Sequence, residues 1–268
     1  MLQVIAHGDV TELRFTTLTS RLVGMRCSAF VVRGVLIDSG FPDASRDLLA
    51  WIDAHPVRGA IITHYHEDHA GGVTALAERG VPVWMADATA PKVLRPAPVN
   101  FYRRFSWGRP RASSPHAAFA PPPELKIIAT PGHTADHHAV WDAETRSCFG
   151  GDLFIGVKVR IAHATEDARV TSASLRKVIA LGPSRFFDAH RGVMPNPVPL
   201  LTAKADWLDA TAAQAEALMA QGLSDAQIAR QLLGNDWFER WFSQGDYTME
   251  NWVGGLRAGA ARRAMDAR

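Results

Sequence analysis

The sequence predicts an α/β protein with a helical appendage at its carboxy-terminal end, and three observations carry that prediction. Short β-branched and apolar runs are broken by glycines, as strands joined by tight turns are. These runs alternate with segments whose apolar residues recur at helical spacing, and the succession of strands followed by helix–strand units occurs twice. Beyond Pro199 the composition changes to Ala, Gln, Leu and Trp, in long helical patterns.

The elements follow in order. Leu13 to Leu18, Cys27 to Val32 and Val35 to Asp38 read as antiparallel strands with turns at Gly24 and Gly34, and Asp38-Ser39-Gly40 closes the last of them. Leu48, Leu49 and Ile52 mark a helix behind Pro42 and Asp43, while Gly59 to Thr63 is too short for a helix and reads as a buried strand. Ala70 to Arg79 then predicts a helix, Val81 to Trp84 a strand and Ala86 to Leu94 a short helix. The stretch 88–123 predicts a long irregular insertion: it is rich in proline, lacks Asp and Glu, and carries Lys92, Arg95, Arg103, Arg104, Arg109 and Arg111. Strands return at Leu125 to Ala129, Ala139 to Trp141 and Ser147 to Phe149, and a helix from Ser172 to Leu181 leads into a strand from Arg185 to Asp188. Helices from Thr202 to Ala220 and Asp225 to Leu233 form the appendage, the second opened by a capping box of Ser224 and Gln227. The expected organisation is a domain of residues 1–198 and a helical region of 199–268.

At 268 residues and 47% hydrophobic, the chain can bury a substantial core. A formal charge of +2 gives no bulk attraction for nucleic acid, so that partner is not expected. Leu223 to Ala229 resembles the start of a helix-turn-helix unit, yet six Arg between residues 222 and 268 are matched by six Asp plus Glu, leaving no basic face. Trp237, Phe238, Trp241, Phe242 and Trp252 are expected to pack the appendage or line a subunit contact, and a homo-oligomer is compatible with them. Cys27 and Cys148 stand apart in apolar stretches and read as packed thiols. No basic segment followed by an apolar run opens the chain, and no apolar stretch reaches membrane-spanning length, which sets a cytoplasmic expectation without membrane contact.

The chemistry begins at the end of the Gly59–Thr63 strand. His64-Tyr65-His66-Glu67-Asp68-His69 places four ligand-type residues in six positions. His64 and His66 project on the same side of an extended chain, whereas Asp68 and His69 lie where it turns into a helix, so the pairs can address two neighbouring ions. Pro131-Gly132-His133, Gly150-Gly151-Asp152 and Asp188-Ala189-His190 each set one further ligand-type residue at a strand end beside or near a glycine. Imidazole and carboxylate donors without thiolate suit Zn²⁺ and also admit Mn²⁺ or Fe²⁺.

These motifs together, H-x-H-x-D-H followed by single H, D and H, resemble those of the metallo-β-lactamase superfamily over about residues 12 to 192. The resemblance implies a four-layer αβ/βα sandwich with the site at one edge. It also implies two divalent ions, with His64, His66 and His133 holding the first, Asp68, His69 and His190 the second, and Asp152 bridging them. Two ions roughly 3.5–4 Å apart share a water and lower its pKa, so that a bridging hydroxide becomes the nucleophile and no Ser or Cys is needed. Asp68 is the candidate catalytic residue, accepting a hydrogen bond from that hydroxide as well as binding metal. Asp38 is a candidate partner for a ligand imidazole or a simple turn residue, and His137 and His138 read as supporting or packing side chains.

In members of that superfamily the segment after the first His cluster often covers the site, which makes 88–123 a candidate lid, with Arg103, Tyr102 and Trp107 as candidate substrate contacts. Arginine forks beside aromatic rings suit an anionic small molecule with an apolar part. Lys158, Arg160 and His163, on the run after Asp152, are candidates for orienting a substrate carboxylate. The sequence around Thr130 to Thr134, with the helical appendage, is similar to hydroxyacylglutathione hydrolases, so the expected reaction is hydrolysis of a small ester, thioester or lactone. Phosphodiesterase or nuclease activity, mononuclear iron oxidation of a thiol or persulfide, and a non-catalytic metal-stabilised binding role stand as alternatives.

Overall fold

The computed structural model describes residues 1–113 and 117–266, so that three positions of the basic insertion lie outside the described residues. The chain forms two compact units. One comprises Met1–Ala129, Asp136–Asp152 and Ser184–Asn196, the other Thr130–Ala135, Leu153–Pro183 and the chain from Pro197 onward.

The first unit contains two sheets. Six strands, β1 (Leu2–His7), β2 (Val10–Phe15), β3 (Cys27–Val32), β4 (Val35–Ile37), β5 (Gly59–Ile61) and β6 (Val83–Trp84), pair in chain order. The first four are antiparallel, and β4, β5 and β6 are parallel. Its helices are α1 (Leu18–Leu22), α2 (Ser45–Ala54), α3 (Glu67–Ala70), α4 (Val73–Glu78), α5 (Ala90–Leu94) and α6 (Phe101–Trp107). The second sheet holds β7 (Leu125–Ala129), β8 (His138–Asp142), β9 (Ser147–Gly151), β10 (Arg185–Asp188) and β11 (Gly192–Pro195) in the order β11-β10-β9-β8-β7.

Alternation along the strands decides which side chains meet which layer. In β3, Cys27 and Ala29 join Leu48, Ile52, Val73 and Leu76 of the helices, while Phe30 and Val32 face the other sheet. β4 repeats the rule, with Leu36 on the helix side and Val35 and Ile37 on the sheet side. Between the sheets Phe30, Phe149 and Phe187 form a ring cluster, with centroids 5.8, 5.3 and 4.7 Å apart. Each such fully buried side chain contributes roughly 1.5–3 kcal/mol through the water it leaves.

The second unit is helical: α7 (Ala168–Ala180), α8 (Val198–Ala220), α9 (Asp225–Leu232), α10 (Trp237–Phe242) and α11 (Met249–Asp266). Asp167 caps α7 by accepting hydrogen bonds from the backbone N–H groups of Arg169 and Val170, and Arg263 of α11 pairs with the same carboxylate at 3.1 Å. Arg169 with Glu216, and Arg176 with Asp206 and Asp209, tie α7 to α8. The capping box of Ser224 and Gln227 is present. Trp252 is buried as expected, but Trp237, Phe238 and Trp241 are 68%, 51% and 71% exposed and do not pack the appendage.

The α/β class with carboxy-terminal helices is the one expected, with informative local differences. β1 was not foreseen, because an edge strand with one side exposed alternates only weakly. The short helix expected over Ala86 to Leu94 is present as α5, but the segment expected to be irregular also contains α6; its prolines flank α6 rather than interrupt it, and Gly108, at φ +92°, ends it. The single helix expected over Ala70 to Arg79 breaks into α3 and α4 at Gly71-Gly72. A Cβ at Gly71 would lie 2.4 Å from Pro42 Cδ, and one at Gly72 would lie 2.5 Å from the Ser39 carbonyl oxygen. Two glycines let the β4–α2 connection approach the turn this closely.

Candidate metal centre

The expected ligand residues of the first unit sit on turns at the ends of strands. His64 and His66 follow β5, and Asp68 and His69 occupy α3, where a sharp turn brings them back towards the histidines. Asp152 follows β9 after Gly150 and Gly151. A Cβ on Gly150 would lie 1.9 Å from Phe186 Cζ, and one on Gly151 would crowd His137 Nε2 at 2.8 Å and Thr63 Oγ1 at 2.9 Å. His190 follows β10, where Asp188 Oδ1 accepts hydrogen bonds from the backbone N–H groups of His190 and Arg191 at 2.9 and 2.8 Å.

Asp68, His69, Asp152 and His190 each present one donor atom, all within 4.8 Å of one another. His64, His66 and Asp152 also present donor atoms that close together, so Asp152 belongs to both groups. Its two oxygens divide between them. Oδ1 lies 3.1 Å from Nε2 of both His69 and His190, while Oδ2 lies 4.0 Å from His64 Nε2. Asp68 Oδ2 stands 3.8 Å from His69 Nε2 and 3.5 Å from His190 Nε2.

The far side of each ring is fixed. His69 Nδ1 is 2.8 Å from Asp38 Oδ2, which makes Asp38 the supporting carboxylate rather than a turn residue alone. Asp38 also accepts hydrogen bonds from the Thr63 backbone N–H and hydroxyl, and holds φ +60° in doing so. His190 Nδ1 meets the Arg26 carbonyl oxygen at 2.7 Å, and His64 Nδ1 meets Thr63 Oγ1 at 3.1 Å. In each case the Nε2 atom is left facing the cluster, the arrangement that fixes tautomer and direction of metal-binding imidazoles.

Electrostatics match a cation site. Burial opposes charge on His69 and His190, yet Asp152 and the other carboxylates raise both, His69 well above the ordinary histidine range and His190 to about 10. Burial raises the Asp152 carboxyl, but His69 and His190 outweigh it and hold Asp152 well below its usual range. His64, buried and beside His69 and His66, falls well below the usual histidine range and is a neutral donor. The carboxylates thus draw in positive charge, and a donor set of neutral or displaceable imidazoles with two acids suits a divalent ion.

Several neighbours escaped the sequence reading. Asp136, buried, accepts hydrogen bonds from the Tyr65 backbone N–H at 3.1 Å and the Thr89 hydroxyl at 2.7 Å, which braces the histidine turn. His137 Nε2 accepts from the Asp152 backbone N–H at 3.2 Å, a supporting role consistent with expectation. Among the candidate substrate contacts, Arg103 makes a two-pronged pair with buried Glu67 at 2.5 and 2.6 Å. Tyr102 is buried, and Trp107 packs on Phe41 at 4.9 Å with its ring 6.5 Å from that of His190.

The second unit carries the remaining residues. His133 Nδ1 lies 3.4 Å from Glu166 Oε2, a further supporting carboxylate that sequence reading did not find. Gly132, at φ +138°, allows this turn to meet Thr171, whose backbone nitrogen would be 2.5 Å from a Cβ there. His163 is engaged with Thr165 at 2.8 Å, and Arg160 donates to the Leu233 carbonyl oxygen at 2.9 Å. Lys158 is exposed.

Comparison with known proteins agrees with this geometry. The family model described as "Metallo-beta-lactamase superfamily" matches residues 23–190. A beta-lactamase-like protein 2 homolog from Caenorhabditis elegans is 25% identical over 217 residues, covering 72% of this chain and 68% of that protein. A hydroxyacylglutathione hydrolase from Halorhodospira halophila is 36% identical over 154 residues, 55% of this chain and 53% of its own length. Among solved structures, a metallo-beta-lactamase from Pontibacter korlensis superposes with a TM-score of 0.59 at 21% identity, over 78% of this chain and 99% of the other.

Proposed function

Because the chain belongs to the metallo-β-lactamase superfamily, we propose that it hydrolyses a small-molecule ester, thioester or lactone with two divalent ions, zinc foremost. The observation that carries the proposal is the division of the Asp152 carboxylate between two donor groups. In this reading His64, His66 and His133 hold one ion, Asp68, His69 and His190 the other, and Asp152 joins them. His133 enters on the sequence motif, supported by the Glu166 carboxylate that orients its ring. Such a pair of ions supplies Lewis acidity and a water of lowered pKa. Asp68 would accept a hydrogen bond from the attacking hydroxide, while Asp38, Thr63 and the Arg26 carbonyl hold the imidazoles in place. The similarity to a hydroxyacylglutathione hydrolase supports acyl hydrolysis of a small molecule. Buried free thiols at Cys27 and Cys148 fit a reducing, cytoplasmic setting.

The test is elemental analysis of the purified protein, followed by assay of an acyl-glutathione thioester beside an aryl ester and a phosphodiester. About two zinc or manganese ions per chain with thioester or ester turnover is the expected result. About one iron per chain, with oxygen consumed on a thiol substrate, would overturn the two-metal reading, and turnover of the phosphodiester alone would replace the acyl substrate class.

A further inference from the structure

A cavity of about 680 Å³ in the first unit is lined by Pro42, Asp43, Arg46, Thr74, Glu78, Phe101, Arg104, Phe105, Arg109 and Arg111, with none of the expected metal ligands among its walls. Its charge is lopsided, four arginines against Asp43 and Glu78. Asp43 is already committed to the wall: Arg111 attracts it, and its carboxylate packs so tightly on Gly108 that a Cβ there would lie 2.1 Å from Oδ1. Arg46, Arg104 and Arg109 are exposed and form no ion pair among the described residues.

Helix α6 has two faces. Tyr102, Ser106 and Trp107 are buried, whereas Phe101, Arg104 and Phe105, at helical spacing i, i+3 and i+4, turn to the cavity. Phe101 and Phe105 stack at 5.9 Å and 29°, yet remain 60% and 39% exposed. Two rings inclined by 29° and partly exposed, beside guanidinium forks that form no ion pair among the described residues, make a surface for a flat group and an anion together.

We propose that this cavity is a second ligand site, separate from the metal centre, which binds a nucleoside phosphate with its base against Phe101 and Phe105 and its phosphate between Arg46, Arg104 and Arg109. A phosphate dianion brings three terminal oxygens and a second negative charge to the planar forks, and the volume suits a mononucleotide. The site stands independently of the reaction at the metal centre.

The experiment is isothermal titration calorimetry of the metal-loaded protein with AMP, adenosine and inorganic phosphate. AMP is expected to bind at least about tenfold more tightly than adenosine or phosphate alone, each lacking half of the recognition. The double variant R104A/R109A should weaken AMP at least about tenfold and F105A several-fold, with bound metal and thermal midpoint unchanged because these side chains are exposed. Absence of AMP binding, equal affinity for AMP and adenosine, or AMP affinity unaltered in R104A/R109A would each overturn the proposal, the last by placing the nucleotide elsewhere on the protein.

Discussion

In the first unit, the turns that carry the candidate ligands of the His64–His69 cluster, Asp152 and His190 are built in the opposite way from the basic insertion. Each of these turns is locked: His69 by Asp38, His190 by the Asp188 turn and the Arg26 carbonyl, Asp152 by Gly150 pressed on Phe186 and by His137. In the insertion only one side of α6 is fixed, through Trp107 and the Arg103–Glu67 pair, and the other presents arginines and phenylalanines to a solvent-open cavity. Under the proposed roles, rigid placement goes to groups whose geometry must match an ion, and adaptable charge to groups that would meet a variable ligand.

The sharpest way to break the contrast is to remove the room on which a locked turn depends. Gly150→Ala puts a methyl into the Phe186 ring, in a sheet with no slack on either side. It should cost more than about 3 kcal/mol, beyond ordinary overpacking, and denaturant unfolding followed by circular dichroism would measure it. A stability change below 1 kcal/mol would mean that the turn is as compliant as the insertion. Next in size, Asp38→Asn removes the negative partner of His69 while keeping its shape. Metal affinity, read by chelator competition, should fall roughly 10–100-fold with little change in fold.

The strand-end chemistry was legible in sequence because ligand type is specified by residue identity, and H-x-H-x-D-H places four donors before any fold is known. Asp38 was visible as a candidate because it ends a strand. Asp136 and Glu166 were not, since Asp136 accepts hydrogen bonds from Tyr65 and Thr89, and Glu166 approaches His133, across long stretches of chain that leave no local pattern. The insertion was read as irregular because proline density masks seven helical residues lying between prolines. Composition showed its positive charge, but the directions in which Arg103 and Arg104 point depend on the phase of α6, which composition does not encode.

A pH series sharpens the comparison beneath the His190 turn. Glu12 is fully buried near Gly192; burial alone would raise its carboxyl, but hydrogen bonds from Ser28, His7 and Arg14 lower it below 4.5. A depressed folded-state pKa contributes stability that is fully present above the unfolded value and is lost as pH falls through the folded one. Stability of the wild type should therefore decline below about pH 4.5 more steeply than that of Glu12→Gln, whose side chain takes up no proton. Parallel pH curves would remove Glu12 as a support of this turn.

The smallest expected effect lies at the join between the two regions. Arg103 belongs to the insertion by sequence but to the ligand turns by contact, because both of its bonds to Glu67 bury a charge next to Asp68. Arg103→Lys keeps the charge and loses the fork, so one Glu67 oxygen surrenders its partner, at a cost of about 1 kcal/mol. Arg109→Ala, on the cavity side, should stay within about 0.5 kcal/mol of wild type, as exposed unpaired positions do. Differential scanning calorimetry should then give a midpoint about 2–4 °C lower for Arg103→Lys and unchanged for Arg109→Ala. Equal shifts in the two variants would dissolve the boundary drawn between the anchored side of α6 and the arginines that line the cavity beyond it.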